Sequence, residues 1–574
     1  MKFLKKTIKN ENFLPLLIVL VLALLAGKGL IGQGYFNMHD DLQMMRQLEM
    51  EKCFLSLQLP CRWVPDMGYG FGFPLFNYYP PLPYLFGEIF RLFGIAFVDT
   101  VKLTFLFAIL ASGISMYFLG KEFFGKWGGV LSSVFYIWAP YHSVDIYVRG
   151  AMNEAWGIIW FPAILLSTYK LLSAGSKFGR VKAKHIIGLS LSWCFLLLSH
   201  NLMALIFAPF FAVWCVIWII KTKKITQSFV NLATAGMLSL GLAAFFTLPV
   251  ALEQNLVQTQ TLIQGYYDYS AHFATIKQLL FSRFWGYGPS IWGANDGLSF
   301  QVGYLHWIIP ILTICLTILT FLKKRKIEDW MLTVVYFFAV GWFAIFMIHN
   351  KSTPLWLHIN TLRFVQFPWR FLTLVILSFS FTIGSVTKFT SQKYFNTVLI
   401  FLLSAVLLYS WNYFEPQDGK LGALTDQEKF TGEAWELQQT AGIYDYLPVT
   451  AKTAPKSSQK YLAEVAKGEA VILNTYESTN FGKFDVNATK DSEIRIGIFQ
   501  FPNWKTFVDG NEVPNFIDKD EEWGRMYINV PEGNHHVEVR FYNTPIRTIG
   551  NILSLVSWIG LICYLLIRRY NPFS

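Results

Sequence analysis

Three ionisable residues stand side by side near the amino terminus: His39, Asp40 and Asp41. They follow the first long apolar segment by only a few residues, which places them at a membrane surface. Adjacent carboxylates raise each other's pKa; this suits a general base that deprotonates a hydroxyl group, and the pair could also hold a divalent metal ion. The alternative is structural, because Asp40 with Gln43 three residues later is typical of a helix N-cap. We favour Asp41 as the base, with Asp40 as cap or second acid.

A second polar group lies between two predicted spans, in the segment from Tyr141 to Glu154. Glu154 stands at the start of an apolar run, where a charge is costly and usually has a partner or a function. Glu154 is therefore a candidate site residue, and His142 and Arg149 in the same segment are candidate substrate ligands. A structural salt bridge between Arg149 and Glu154 is the alternative.

Two arginines open a late apolar run. Arg363 and Arg370 are seven residues apart, and in one continuous helix they would lie two turns apart on about the same face. Arginine binds phosphate through paired N–H bonds, so the two are predicted to hold a lipid phosphate near the outer leaflet. The alternative is that both side chains only anchor the helix at the interface.

Other candidates depend on weaker patterns. Arg62 and Tyr79 lie in a segment rich in Gly, Pro and aromatic residues, which predicts an ordered aromatic loop on the bilayer surface. An interfacial aromatic belt explains this loop as well as a binding surface does. His39 and His200 are further candidate substrate ligands, although His200 also fits a simple turn between two spans. The loop at 251–302 combines aromatic and amide residues, which suit sugar recognition.

Membrane helices must position these residues. Apolar residues make up 53% of the chain and charged residues 15%, too few to cover a soluble protein of 574 residues. The sequence therefore predicts a polytopic α-helical membrane protein. Its twelve or so spans lie near 13–31, 100–120, 126–140, 153–173, 186–199, 201–220, 227–250, 303–322, 329–348, 363–386, 395–413 and 549–567.

The basic residues predict which side of the membrane each loop faces. They fall on alternate connections, and by the positive-inside rule both termini are cytoplasmic. Counting the apolar segment from Pro81 to Val98 as a span would invert every later loop, so we expect an interfacial helix there. The net charge of +11 thus reflects topology and gives no reason to expect a nucleic-acid partner. The inner-side residues include Lys2, Lys5, Lys6, Lys9 and Lys177.

The predicted domains follow from this topology. Residues 1–413 form the transmembrane domain, with long outer loops at 33–99 and 251–302. Residues 414–548 carry alternating strand patterns and turn signals such as Asp509-Gly510, which predict an outer β-sandwich-like domain. Residues 549–574 form a final span and a short cytoplasmic tail.

Six cysteines in a chain of this length exclude a disulfide scaffold. Cys53 and Cys61 both lie in the first outer loop. They form either a disulfide bond or two free thiols, and the sequence is compatible with both. The remaining four lie in spans and are interpreted as small apolar residues.

Several motifs together resemble a bacterial family of multi-spanning membrane proteins labelled 6-pyruvoyl-tetrahydropterin-synthase-related, akin to the YfhO-like family. The resemblance covers nearly the whole chain. No soluble three-histidine zinc site, which a pterin synthase would need, is visible. The motifs are the acidic pair after the first span, Asn77 to Tyr84, Gln366 to Phe371, and Phe501 to Gly510.

These families resemble class C (GT-C) glycosyltransferases, which use polyprenyl-phosphate sugars. The resemblance implies that Asp40 or Asp41 is the acidic residue of the active site and that Glu154 is a second acidic candidate. It also implies that Arg149, Arg363 and Arg370 bind phosphate. The implied partners are the lipid bilayer, a polyprenyl-phosphate-linked sugar and an extracytoplasmic glycan acceptor, at a bacterial plasma membrane. No cofactor is required, and a divalent metal is optional. A transporter or flippase of a lipid-linked substrate, or a non-catalytic scaffold with a glycan-binding outer domain, is the alternative.

Overall fold

The computed structural model describes residues 11–173, 180–291, 293 and 296–570. The lysines at positions 2, 5, 6, 9 and 177, which we predict to lie on the inner side, fall outside these ranges. The helices of the described part are Phe13–Ala26, Gln43–Leu55, Leu75–Tyr78, Leu82–Arg91, Phe97–Ile137, Pro140–Ser143, Met152–Ser173, Arg180–Ser199, Asn201–Thr222, Ile225–Leu252, Tyr304–Lys324, Asp329–Ile348, Thr353–His358, Leu372–Ile383, Phe395–Ser410, Asp426–Lys429, Gly432–Thr440 and Pro545–Tyr570.

Long apolar helices dominate the chain. Within the described ranges, nine helical segments are long and apolar enough to cross a membrane, while Phe13–Ala26 and Ala183–Ser199 are apolar but shorter. The segment Phe97–Ile137 contains two helices, because Gly125 has φ 81° and ψ 177° and interrupts the helical backbone. Only glycine adopts such a conformation at low cost. The chain is a multi-pass α-helical membrane protein, as the composition predicts.

The ambiguous segment after the first outer loop contains a short helix. Leu82–Arg91 has ten residues and carries Pro83 in its first turn, where the missing N–H of proline has no helical partner to lose. Ten residues rise about 15 Å, half the thickness of the hydrocarbon core. The length of this helix agrees with an interfacial position and not with a full span.

The predicted span at 363–386 begins later than expected. Asn360–Val365 is a 3₁₀ helix, Gln366 has a left-handed φ of 65°, and a second 3₁₀ turn at Pro368–Phe371 leads into the helix Leu372–Ile383. Arg363 and Arg370 are therefore not two turns apart on one helix face. The prediction that they share a helix face is wrong, because the positive φ of Gln366 ends one 3₁₀ helix before the next begins at Pro368.

The carboxyl-terminal part contains two antiparallel sheets. The eight strands are β1 Ala463–Lys467, β2 Ala470–Glu477, β3 Phe481–Ala488, β4 Ser492–Phe499, β5 Trp504–Val508, β6 Asn511–Val513, β7 Arg525–Val530 and β8 Gly533–Phe541. One sheet has the order β1-β4-β7 and the other β2-β3-β8-β5-β6. Alternate residues of both sheets, such as Ile494, Ile528, Phe484 and Val537, share one buried apolar cluster. The predicted β-sandwich is confirmed.

The turn between β5 and β6 follows the predicted chemistry. Val508 pairs with Asn511 across Asp509 and Gly510, and both turn residues have positive φ, of 48° and 81°. These values are typical of a two-residue type I′ hairpin, which Asp-Gly favours.

By contacts, the chain divides into two compact units that cut across the predicted domain boundaries. The first unit, which we call the core unit, comprises 1–41, 98–239 and 265–423, and the second, the β unit, comprises 42–97, 240–264 and 424–574. Most of the first outer loop thus belongs with the β-sandwich. Its Trp63 is 1% exposed and packs at 5.5 Å, ring centre to ring centre, against Phe501, Trp504 and Phe541. This part of the loop is buried in protein and does not form an aromatic surface on the bilayer.

Cys53 and Cys61 form a disulfide bond, with Cα atoms 5.5 Å apart. The bond closes a short loop within the β unit. Disulfides persist in oxidising compartments, so this bond is consistent with an outer position of the first loop.

Candidate active site

The segment that follows the helix Pro140–Ser143 carries Arg149 and buries most of its side chain. Val144–Val148 forms a π-helical turn, Gly150 has φ 60°, and the long helix Met152–Ser173 follows. The π-turn and the left-handed glycine set Arg149 in a tight corner between the two helices. Its side chain is 9% exposed.

Arg149 is the centre of an ion cluster within the core unit. Its Nη1 bonds to Asp145, lies 2.9 Å from Oε2 of Glu154 and donates to the Tyr141 hydroxyl at 3.2 Å. Tyr141 in turn donates to Oε1 of Glu154 at 2.6 Å. Asp145 and Glu154 are fully buried. Each carboxylate therefore has a guanidinium or phenol partner, which buried charges require.

Arg370 joins the same cluster from the 3₁₀ turn before Leu372–Ile383. Its Nε lies 3.4 Å from Oε2 of Glu154, and its Nη1 donates to the carbonyl of Val365 and to Oε1 of Gln366, both at 2.9 Å. The neighbouring Trp369 ring lies 4.5 Å from the Arg149 guanidinium, within cation–π range. The Gln-Phe-Pro-Trp-Arg motif thus positions one arginine directly and a second through its tryptophan.

The cluster is balanced in charge. Asp145 and Glu154 face Arg149 and Arg370, so two carboxylates offset two guanidinium groups. Burial alone would lower the pKa of Arg149, but the charges of Glu154, Tyr141 and Asp145 outweigh it and raise the pKa above its ordinary value. Arg149 is therefore a permanent cation. The predicted Arg149–Glu154 salt bridge exists as part of a larger network.

The backbone of the amino-terminal acidic segment pairs with the segment that carries Arg149. The backbone N–H groups of His39 and Asp40 donate to the carbonyls of Val148 and Arg149 at 3.0 and 2.9 Å. His39 also contacts the Tyr287 carbonyl through Nε2, at 2.9 Å. Two residues of the first predicted motif therefore pair with the backbone of the second. Asp40 and Asp41 are both half-buried.

Asp40 does not cap the following helix. Gln43–Leu55 has Leu42 at its N-cap position, without a side-chain cap bond. The N-cap interpretation of Asp40 is wrong because the helix begins two residues later than the motif implies. The backbone N–H of Asp40 instead donates to the carbonyl of Arg149.

Among the described residues, three other predicted ligands of the core unit, His200, His142 and Arg363, form no hydrogen bond or ion pair with the carboxylates of the ion cluster. His200 caps the helix Asn201–Thr222, where Nδ1 accepts from the N–H of Leu202 at 3.2 Å. Burial and the charge of Arg370 lower its pKa to about 3, so it is neutral at physiological pH. His142 is fully buried beside the Tyr136 carbonyl, and burial lowers its pKa to about 4. Arg363 is exposed on its 3₁₀ helix.

Arg62 and Tyr79 belong to the β unit. Arg62 is 2% exposed and donates to Asn77 at 3.0 Å and to Asn551 at 2.7 Å. Burial and the neighbouring Arg547 lower its pKa to about 9. The half-buried Tyr79 has the Arg46 guanidinium 4.3 Å above its ring. Arg62 is thus part of an internal polar network of this unit.

Sequence reasoning missed three members of the cluster as site residues: Tyr141, Asp145 and Trp369. The i, i+4 spacing of Asp145 and Arg149 is the signal that could have identified the pair. No spacing rule connects Trp369 to Arg149, which is 220 positions away by sequence number.

In the parts of the chain that the structure describes, no group of three or more His, Cys, Asp and Glu side chains is placed to hold a metal ion. Asp40 and Asp41 could still provide carboxylates to a Mg²⁺ ion that keeps several waters or substrate oxygens.

No protein-family model and no curated protein matches the sequence. Among solved structures, the chain is similar to the arabinofuranosyltransferase AftD from Mycobacteria, with a TM-score of 0.43 and 13% identity. It is also similar to an Archaeoglobus fulgidus oligosaccharyltransferase tethered to an acceptor peptide (TM-score 0.44, 12% identity) and to AglB of that organism with an inhibitory peptide and dolichol-phosphate (0.43, 12%). The matches cover 70%, 79% and 78% of this chain but only 27%, 61% and 61% of the respective neighbours. The chain thus spans less than two thirds of the length of each of these neighbours.

Proposed function

We propose that this protein is a glycosyltransferase of the bacterial plasma membrane. It transfers a sugar from a polyprenyl phosphate to an extracytoplasmic glycan acceptor. The observation that carries the proposal is the backbone pairing of His39–Asp40 with Val148–Arg149. This pairing sets the backbone of the acidic segment against the backbone of the segment that carries the buried cation Arg149. A general base near a phosphate ligand is what such a transfer needs.

In the proposed reaction, Asp41 or Asp40 accepts the proton of an acceptor hydroxyl group. The hydroxyl oxygen forms a bond to the anomeric carbon while the bond between that carbon and the phosphate oxygen breaks. The electron pair leaves with the polyprenyl phosphate. The donor is already activated on its lipid, so no nucleotide or other cofactor is required; a divalent metal at the acidic pair is optional.

Arg149 is suited to stabilise the leaving phosphate. Its contacts to Asp145, Tyr141 and Glu154 all use Nη1. Within the described part of the chain, these bonds leave Nε and Nη2 for a ligand, and two parallel N–H donors match a phosphate group. Arg370 is the second proposed phosphate ligand.

Glu154 is less suited to act as the base. Its Oε1 accepts from the Tyr141 hydroxyl, and its Oε2 faces the guanidinium groups of Arg149 and Arg370, so both oxygens already belong to the ion cluster. We therefore assign Glu154 the task of holding Arg149 and Arg370 in place, and the chemistry to the Asp40–Asp41 pair.

The test is a deletion strain that is complemented with wild-type protein, Asp40→Asn, Asp41→Asn or Asp268→Asn. Asp268 caps a turn in the long loop through a bond to the N–H of Ser270, and it is the matched control. Surface glycans and lipid-linked sugars are then measured in each strain. We expect a polyprenyl-phosphate sugar to accumulate in the strain that carries whichever of Asp40→Asn and Asp41→Asn removes the base. The strain with Asp268→Asn should show the wild-type profile.

Two results would contradict the proposal. Full complementation by both aspartate variants would favour a non-catalytic scaffold. Accumulation of the lipid-linked sugar only on the cytoplasmic face would favour a flippase.

A further inference from the structure

A groove lies where the β-sandwich meets the last membrane helix. Its volume is about 730 Å³, and Asn503, Lys505, Phe507, Tyr542, Asn543 and Ile549 are among the residues that line it. All of them belong to the β unit. This volume is in the range of small-molecule binding sites.

The strand alternation of β5 creates one wall of the groove. Trp504, Thr506 and Val508 point into the sandwich core, so Lys505 and Phe507 stand on the outer face of the sheet. The Phe507 and Tyr542 rings lie 6.5 Å apart, edge to face. Tyr542 is 41% exposed. The wall therefore presents aromatic surface to the groove.

Side-chain amides border the aromatic wall. The Nδ2 atom of Asn503 donates to the carbonyl of Asn543 at 2.7 Å, which fixes the orientation of the Asn503 amide. The side chain of Asn543 is exposed. Amides supply both donors and acceptors, so they can bond to the adjacent hydroxyl groups of a sugar, while a ring packs against its C–H face.

The nearby cations are already paired with carboxylates. Lys505 lies 3.0 Å from Glu512, and Arg540, its cross-strand partner, lies 3.1 Å from Glu538. A phosphate headgroup would have to compete with these carboxylates. The local charge therefore favours an uncharged headgroup over an anionic one.

The opposite end of the groove continues along an apolar stripe. Ile549, Ile552 and Val556 follow one face of the helix Pro545–Tyr570 and are 53%, 55% and 62% exposed. This helix is long and apolar enough to cross a membrane, which would place the groove at the bilayer surface. An amphiphile could place its headgroup in the groove and its acyl chain on the stripe.

We infer that this groove binds the neutral saccharide headgroup of a membrane glycolipid. The inference goes beyond the proposed reaction, because no bond is made or broken at the groove. It gives the β-sandwich a function of its own at the membrane surface.

The test uses the full-length protein in phosphatidylcholine nanodiscs that contain either monoglucosyl diacylglycerol or phosphatidylglycerol. Lipid retained by the protein is measured by native mass spectrometry after detergent extraction. Wild type should retain the glucolipid in preference to phosphatidylglycerol. Tyr542→Ala and Asn543→Ala should each weaken retention about tenfold, equivalent to about 1.4 kcal/mol.

Tyr476→Ala is the matched control, since Tyr476 is 53% exposed on β2 of the same sheet. It should retain the glucolipid like wild type, and Tyr542→Phe should do so within about twofold because its ring remains. Unfolding temperatures show whether each variant is folded. Asp41→Asn should bind normally even where it abolishes transfer, which separates the two proposals. Equal retention of both lipids by wild type, preference for phosphatidylglycerol, or unchanged binding by folded Tyr542→Ala and Asn543→Ala would overturn the inference.

Discussion

Glu154 shows how a single buried carboxylate can hold two arginines. It contacts Arg149 at 2.9 Å and Arg370 at 3.4 Å while fully buried. A buried ion pair adds little net stability compared with an apolar pair, but removing one partner leaves a charge without compensation. The residue therefore matters most for keeping the arginines in place.

Glu154→Gln is expected to destabilise the protein by about 3–5 kcal/mol, because both guanidinium groups would lose a buried counter-charge. The measurement is thermal unfolding in detergent. Glu122→Gln is the control: Glu122 also lies 2.9 Å from its cation, Lys170, but the two side chains are 31% and 37% exposed. Its effect should stay below about 1 kcal/mol. Equal effects of the two substitutions would show that the Glu154 cluster is not tightly buried.

Glu88 gives the β unit a pH-dependent stability. The residue is 4% exposed, and burial raises its pKa to about 7, although a 2.5 Å bond from Gln47 opposes the shift. Between the ordinary carboxyl pKa of about 4.3 and pH 7, the folded protein keeps a proton that the unfolded chain has lost. Stability due to this group is thus complete below about pH 4 and falls as the pH rises through 7.

Glu88→Gln should remove this dependence and stabilise the protein by about 1–3 kcal/mol at pH 8 relative to wild type, with little difference at pH 4. Unfolding temperatures across this range provide the measurement. Parallel curves for the two proteins would contradict the assignment.

At the scale of elements, Gly150 sets how closely two segments approach. It has φ 60°, and a Cβ atom there would collide with the Met38 side chain, one residue before the His39–Asp40 pairing. The glycine thus allows the amino-terminal segment to lie against the corner that holds Arg149.

Gly150→Ala is expected to disturb this pairing and to reduce sugar transfer strongly. Gly265→Ala is the matched control, because Gly265 also has φ 60° but a Cβ atom there meets nothing within 4 Å. The control should lose only about 1 kcal/mol of stability from backbone strain. Transfer activity and unfolding temperature are measured together; equal activity of the two variants would mean that the close approach is dispensable.

For the whole molecule, the proposed topology places the β-sandwich outside and the basic loops inside. A cysteine at Tyr476, on β2, should react with an impermeant maleimide in intact cells. A cysteine at Lys326, exposed after the helix Tyr304–Lys324, should react only after permeabilisation. Cys194, Cys215, Cys315 and Cys563 are first replaced by serine, because they are the free thiols. Labelling of both sites in intact cells would contradict the topology.

The local patterns predicted much of the architecture. The positions of the apolar helices, the strands Ser492–Phe499 and Arg525–Val530, and the Asp509-Gly510 turn follow from periodicity and turn chemistry, which are short-range properties. Helix ends were predicted less well. Gln366 adopts a left-handed φ that no sequence rule requires, so the break between Arg363 and Arg370 was not anticipated.

Composition and periodicity by themselves determined that this chain is a multi-pass membrane protein with an attached β-sandwich, because lipid solvation and strand alternation act on residues close in sequence. Tertiary structure alone decided which charges meet. Asp40, Arg149, Glu154 and Arg370 come from three distant segments, and only the packing of their helices shows that Arg370 shares Glu154 with Arg149. It also decided that Arg62 belongs to another network and that Trp63 is buried against the sandwich. These contacts depend on long-range packing, which no local pattern records.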